Sequence, residues 1–240
     1  MTAPKQTEVT AVLVHAAWAD GSSWNKVTAE LQRRYYRVVA AQIPLTSLKD
    51  DVDALRRILR NLDSPVILVG HSYGGAVISA AAAGDPNVKA LVFVAAVVPD
   101  QDETVGQIFT RDEPHPKAPK LRPDPDGFLW LDVEAFREAV APDATMDETA
   151  LMAVNQKPIS LKCLTEPMTK PAWKEKPSWF LVAENDRMVS PKTQRYTAER
   201  MNSTIVSASV DHMPLASSPG VVAAIVENAV STTTSVARST

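Results

Sequence analysis

Apolar and polar positions along this chain fall into two alternating periods. Residues 9–15, 66–69, 89–98 and 178–183 are near-continuous apolar runs rich in β-branched side chains. Runs of this kind read as strands buried on both faces. Residues 37–41, stopped by Pro44, and residues 204–208 read as two further strands. Between the runs the apolar positions step by three and four. Leu48, Val52, Leu55, Ile58, Leu59 and Leu62 predict a helix capped by Ser47. Asp50 and Asp51 fall in its first turn and Arg56, Arg57 and Arg60 in its later turns, as the helix dipole favours. Ser22 or Ser23 caps a further helix through about residue 33, and another covers about 191–201. The closing helix, 219 to about 230, shows an apolar face of Val221, Val222, Ile225 and Val226, and the polar end 231–240 is expected to fray.

Strand and helix in alternation, joined by short connections, predict an α/β fold. It is a mostly parallel sheet of about six strands with helices on both faces. Residues 1–98 and 178–240 form this core. The period is lost between 99 and 177, where Pro114, Pro116, Pro119, Pro123, Pro125, Pro142, Pro158, Pro167 and Pro171 punctuate the chain. Two short helices, 133–140 and 147–154, are read within it. A segment this irregular does not join a parallel sheet, and it is predicted to lie across the sheet's C-terminal edge as a lid. Phe109, Phe128, Phe136 and Met152 mostly tie that lid to the body, while Trp130 is the aromatic picked as a pocket residue.

Composition narrows the function classes. Lys plus Arg number 25 and Asp plus Glu 28, a net charge of −3, so no basic excess points to nucleic acid and no cationic cluster to an anionic membrane. The first eight residues lack the apolar segment of a secretory signal, and no apolar run approaches the roughly 20 residues of a membrane helix. Cys163 is alone, in Leu-Lys-Cys-Leu, which reads as packing. A cytoplasmic protein acting on a small molecule, with no metal and no cofactor, is expected.

The chemistry concentrates at residues 70–75, Gly-His-Ser-Tyr-Gly-Gly, where a buried strand turns at once into the helix-forming run 76–83. Glycines two residues either side of Ser72 fit a strained strand-to-helix turn that lifts a serine hydroxyl above the sheet edge. A free hydroxyl is a poor nucleophile and needs a base. Of the four histidines, His71 points away from its neighbour, His15 belongs beneath the site, and His115 lies between prolines. His212, after the last strand, is left as the base. Asp186, after the strand 178–183, is the acid that orients it, with Asp100 as the rival. The backbone N–H groups of Tyr73 and Ala17 are the expected oxyanion donors, and Trp18 and Met213 border the substrate.

Together, residues 70–75, Val14-His15-Ala16-Ala17-Trp18, Glu184-Asn185-Asp186 and Asp211-His212-Met213 resemble the α/β-hydrolase superfamily over about residues 9–230. More narrowly, the chain is similar to the small-lid branch of plant methyl esterases, hydroxynitrile lyases and bacterial esterase-like relatives. The resemblance implies hydrolysis of small to medium uncharged carboxylic esters through an acyl-enzyme. Ala16 stands where the family usually has glycine. Hydroxynitrile lyases of the branch often carry a polar residue at Ala16 and a lysine at Met213, so ester hydrolysis is favoured over cyanohydrin cleavage. A non-enzymatic ligand receptor on the same fold is the third reading.

Overall fold

A computed structural model of the chain describes residues 7–237, with side chains as far as Thr233. Strands β1 (Thr10–Val14), β2 (Arg37–Ala41), β3 (Val66–His71) and β4 (Val88–Val94) alternate with helices α1 (Asn25–Arg33), α2 (Leu48–Leu59) and α3 (Gly74–Ala81). An insertion follows. It holds α4 (Val105–Phe109), β5 (Phe128–Leu129), α5 (Val133–Ala135) running into a π-turn over Phe136–Val140, α6 (Met146–Val154), β6 (Ile159–Ser160) and α7 (Leu161–Thr165). The chain closes with β7 (Ser178–Ala183), α8 (Pro191–Arg200), β8 (Thr204–Ala208), α9 (Pro214–Ser217) and α10 (Pro219–Ala237).

Six strands form one parallel sheet in the order β2-β1-β3-β4-β7-β8, and β5 pairs with β6 in a separate antiparallel ribbon. The period-two alternation of side chains divides the core. Val12, Val14, Val66, Leu68, Leu91 and Phe93 face the layer of α2 and α3. Ala11, Leu13, Ile67, Val69, Ala90 and Val92 face α1 and α10. Both faces are covered, which is why these strands read as apolar throughout. The order reverses at β1, whose neighbours are β2 and β3. Such a switch point opens a crevice at the strands' C-terminal ends.

Several boundaries differ from the sequence reading, each for a local reason. Neither Ser22 nor Ser23 caps the first helix: Asp20 Oδ1 accepts from the Ser22 N–H at 2.8 Å and from the Ser22 hydroxyl at 2.6 Å, capping a 3₁₀ turn (Gly21–Trp24), and α1 continues from that turn without a side-chain cap of its own. β4 stops at Val94 because Ala95 turns to φ +45°, carrying the next residues out of the sheet. The expected fraying after residue 230 does not begin there. Helix α10 continues to Ala237, and the hydroxyls of Ser231, Thr232 and Thr233 donate back to carbonyls of the preceding turn. Residues 1–6 and 238–240 of the predicted core lie outside the described residues.

Candidate active site

Ser72 sits just past β3 with φ +50°, a left-handed conformation that a non-glycine residue adopts only when its surroundings hold it there. Those surroundings are visible. The Ser72 N–H donates to the Val94 carbonyl at 3.0 Å, and the Ser72 carbonyl accepts from Gly75 at 2.9 Å and Val97 at 3.1 Å. The turn tolerates only glycine at two points. A Cβ on Gly70 would lie 2.6 Å from the Gly74 carbonyl oxygen, and one on Gly74 would lie 2.6 Å from that of Val14. Ser72 Oγ has no hydrogen-bond partner among the described residues.

Asp186 follows β7 and is buried. Its Oδ1 accepts from the N–H groups of Met188 at 2.7 Å and Val189 at 2.8 Å, and its Oδ2 from Gln194 Nε2 at 2.7 Å. The same Oδ2 meets His212 Nδ1 at 2.7 Å. A carboxylate on that side places the imidazole proton on Nδ1 and leaves Nε2 as a lone pair. His212 is itself nearly buried, and its ring centroid lies 5.0 Å from that of His71, the residue before Ser72. Asp100, the rival acid, is instead paired with Lys174 at 2.5 Å. His115 is exposed.

The loop after β1 is held by His15, which is fully buried. Its Nε2 accepts from the Ile43 N–H at 3.2 Å, and its Nδ1–H donates to the Ala16 carbonyl at 2.9 Å. Burial pulls its pKa down to about 4, so the ring stays neutral and keeps this donor–acceptor pattern. Neither the Ala17 nor the Tyr73 N–H donates to an acceptor among the described residues.

Three supports escape the sequence reading. Gln194 on α8 accepts from Ala183 N–H at 2.9 Å and donates to Val189 O at 2.9 Å as well as to Asp186. Asp51, assigned to the helix dipole above, is fully buried. It accepts from the Tyr73 hydroxyl at 2.6 Å, the Leu45 N–H at 2.7 Å and the Cys163 thiol at 3.7 Å. Burial raises the Asp51 pKa to about 6 and pushes the Cys163 thiol far above its ordinary value, which leaves that sulfur inert. Asp211 accepts from Met213 N–H, the Ser217 hydroxyl and, in the insertion, Asp143 N–H, fastening the His212 loop to the segment above it.

A cavity of about 310 Å³ is walled by Trp18, Phe136, Leu151, Met152, Met213 and Leu215 among others; it reaches the residues next to Ala17 and His212 but is not lined by Ser72 or His212 themselves. Trp18 and Met213 line this cavity. Trp130 does not: it is 53% exposed on the outside of the insertion, its indole N–H donating to Asp124 at 3.0 Å. Lys26 on α1 and Glu148 on α6 both line the cavity and pair with each other, and Lys26 also donates to the Ala216 carbonyl at 2.8 Å. Among the described residues no helix is long and apolar enough to cross a membrane, and no group of His, Cys, Asp and Glu is arranged to hold a metal ion.

The model of the alpha/beta hydrolase family matches residues 11–225. The alpha/beta hydrolase nvfD of Aspergillus novofumigatus is 25% identical over 91% of this chain and 95% of its own length. Methylesterase 7 of Arabidopsis thaliana is 33% identical over 50% of this chain and 49% of its own. Among solved structures, a pyrethroid hydrolase from Sphingobium faniae JZ-2 superposes with a TM-score of 0.80 at 24% identity, covering 92% of this chain and 97% of that one. Polyneuridine aldehyde esterase superposes at 0.79 with 17% identity, over 92% of this chain and 97% of that one. The two structural likenesses establish a shared fold.

Proposed function

Starting from a chain that belongs to the alpha/beta hydrolase family, we propose a serine hydrolase of carboxylic esters that works through an acyl-enzyme. Ser72 is the nucleophile, His212 the base and Asp186 the group that holds it. One observation carries the reading: a buried carboxylate 2.7 Å from Nδ1 of His212, whose ring lies 5.0 Å from that of His71, the residue before a serine held at φ +50°. The free Nε2 takes the Ser72 proton as the hydroxyl attacks the ester carbonyl, and returns it to the departing alcohol. The Tyr73 and Ala17 N–H groups, without other acceptors, receive the oxyanion. A water then repeats the sequence and releases the acid. Hydrogen bonds between serine and base are often long before substrate arrives and tighten with it.

The substrate class follows from the cavity. About 310 Å³ of largely apolar space suits a small to medium uncharged acyl or alcohol group. Lys26, a cation lining it, is already engaged by Glu148. Residues 99–177 act as the lid over this space, contributing Phe136, Leu151 and Met152 to its wall. Ala16 and Met213 offer no polar group to a cyanohydrin hydroxyl or a cyanide leaving group, which supports hydrolysis over lyase chemistry. Relatives named for ester hydrolysis, such as the carbendazim hydrolyzing esterase of Nocardioides at 30% identity over 43% of this chain, point the same way.

The test is turnover of p-nitrophenyl esters with labelling by a fluorophosphonate. The protein is expected to hydrolyse the ester and to take one label at Ser72, and both are expected to vanish in Ser72→Ala. A Ser72→Ala protein that keeps its turnover overturns the reading.

A further inference from the structure

His71 is fully buried beside the proposed nucleophile, yet it is not a candidate base. Strand parity puts it on the side of Ile67 and Val69, opposite the α2–α3 layer. There its Nε2 lies 2.7 Å from the backbone carbonyl of His212. A carbonyl accepts only, so Nε2 carries the proton and donates. That leaves Nδ1 as a lone pair, and Nδ1 has no partner among the described residues. The ring meets Trp24 edge-on, with centroids 6.4 Å apart, and tilts against the His212 ring. Burial keeps it neutral down to about pH 3.

An imidazole in this position is a costly way to fill space. It desolvates two nitrogens and satisfies one, where an apolar side chain would desolvate none. Its single hydrogen bond goes to the main chain of the proposed catalytic base. The base is then held from two directions: Asp186 grips its side chain at Nδ1, and His71 grips its backbone carbonyl.

We propose that His71 is a positioning residue for the ester hydrolysis, its Nε2–H fixing the main chain of His212 so that the imidazole Nε2 is aimed at Ser72 Oγ. The assignment rests on the Ser72–His212–Asp186 reading. Catalytic groups work within roughly 0.5 Å of the productive geometry. A misplacement of about 1 Å costs on the order of 10²-fold in rate.

The experiment compares His71→Gln, His71→Asn and His71→Phe on a p-nitrophenyl ester, with kcat referred to fluorophosphonate-titrated active sites and folding checked by thermal melting. Glutamine can place its amide N–H where Nε2 was; asparagine is one bond too short; phenylalanine has no donor. Glutamine is expected to hold kcat within about threefold, while asparagine and phenylalanine lose on the order of 10²-fold in kcat with KM little changed. A purely structural role would lower the number of titratable sites and the melting temperature without changing kcat per site. Wild-type kcat per site in His71→Phe, or equal losses in all three folded variants, overturns the proposal. If His71→Phe does not fold, His71→Gln decides: a folded protein that has lost 10²-fold refutes it. The parent reading fails on a separate observation, a Ser72→Ala protein that still turns over.

Discussion

Replacing Asp186 by Asn changes one atom and sets two consequences that can be measured apart. The new NH₂ must stand at the position of Oδ1 or of Oδ2. At Oδ1 it would oppose the N–H groups of Met188 and Val189 at 2.7 and 2.8 Å, so it takes the Oδ2 place. There it opposes Gln194 Nε2–H at 2.7 Å and His212 Nδ1–H at 2.7 Å. His212 escapes by moving its proton to Nε2 and accepting at Nδ1, but that tautomer has no lone pair for the serine proton. Loss of the correct tautomer is worth on the order of 10⁴ in kcat, about 5 kcal/mol of barrier. Gln194 cannot escape in the same way. Turning its amide over would break the bonds from Ala183 N–H at 2.9 Å and to Val189 O at 2.9 Å. One buried donor is left facing another, which costs about 1–3 kcal/mol of stability. The expected Asp186→Asn protein is folded, less stable in urea by that amount, and about 10⁴-fold slower on a p-nitrophenyl ester. A folded variant within tenfold of the wild-type kcat refutes the assignment of Asp186.

Two further outcomes follow from groups around the site. Met152→Trp narrows the cavity beneath α6, so kcat/KM for an octanoyl ester should fall at least about tenfold relative to that for an acetate, in parallel assays; equal effects on both esters would remove the cavity from the substrate's path. Asp51 supplies a pH test. Its pKa rises from 3.8 in the unfolded chain to about 6 in the folded one. A raised acid stabilises the fold below pH 4 and loses that contribution as pH climbs through 6, about 3 kcal/mol at 1.36 kcal/mol per pKa unit. Wild type minus Asp51→Asn, measured by urea unfolding, should therefore decline between pH 4 and 7; parallel curves would contradict it.

The framework of this protein is written in two periodicities, and both are strong here. Four of the six sheet strands follow near-continuous apolar runs, and the glycine spacing around Ser72 has a steric cause at Gly70 and Gly74. Asp186 and His212 stand at strand ends, which is where a parallel sheet gathers its functional groups, and the fold brings them to 2.7 Å. Trp130 was unreadable for the opposite reason. The insertion has no period, so nothing in it says which way an aromatic ring faces, and this one faces outward. The polar supports occupy a middle ground. Asp51 lies three residues after Leu48 and four before Leu55, on the apolar face of α2. His71 falls in the alternation with Ile67 and Val69. Each is a polar residue at a position the pattern reserves for a buried side chain. Burial without a partner is expensive, so such residues carry a specific demand for a nearby group: the Tyr73 hydroxyl for one, the His212 carbonyl for the other. One demand falls on Tyr73, whose amide is the proposed oxyanion donor, and the other on His212, the proposed base. The same interruption of pattern that weakens a secondary-structure reading thus marks where the fold spends stability on aiming a side chain.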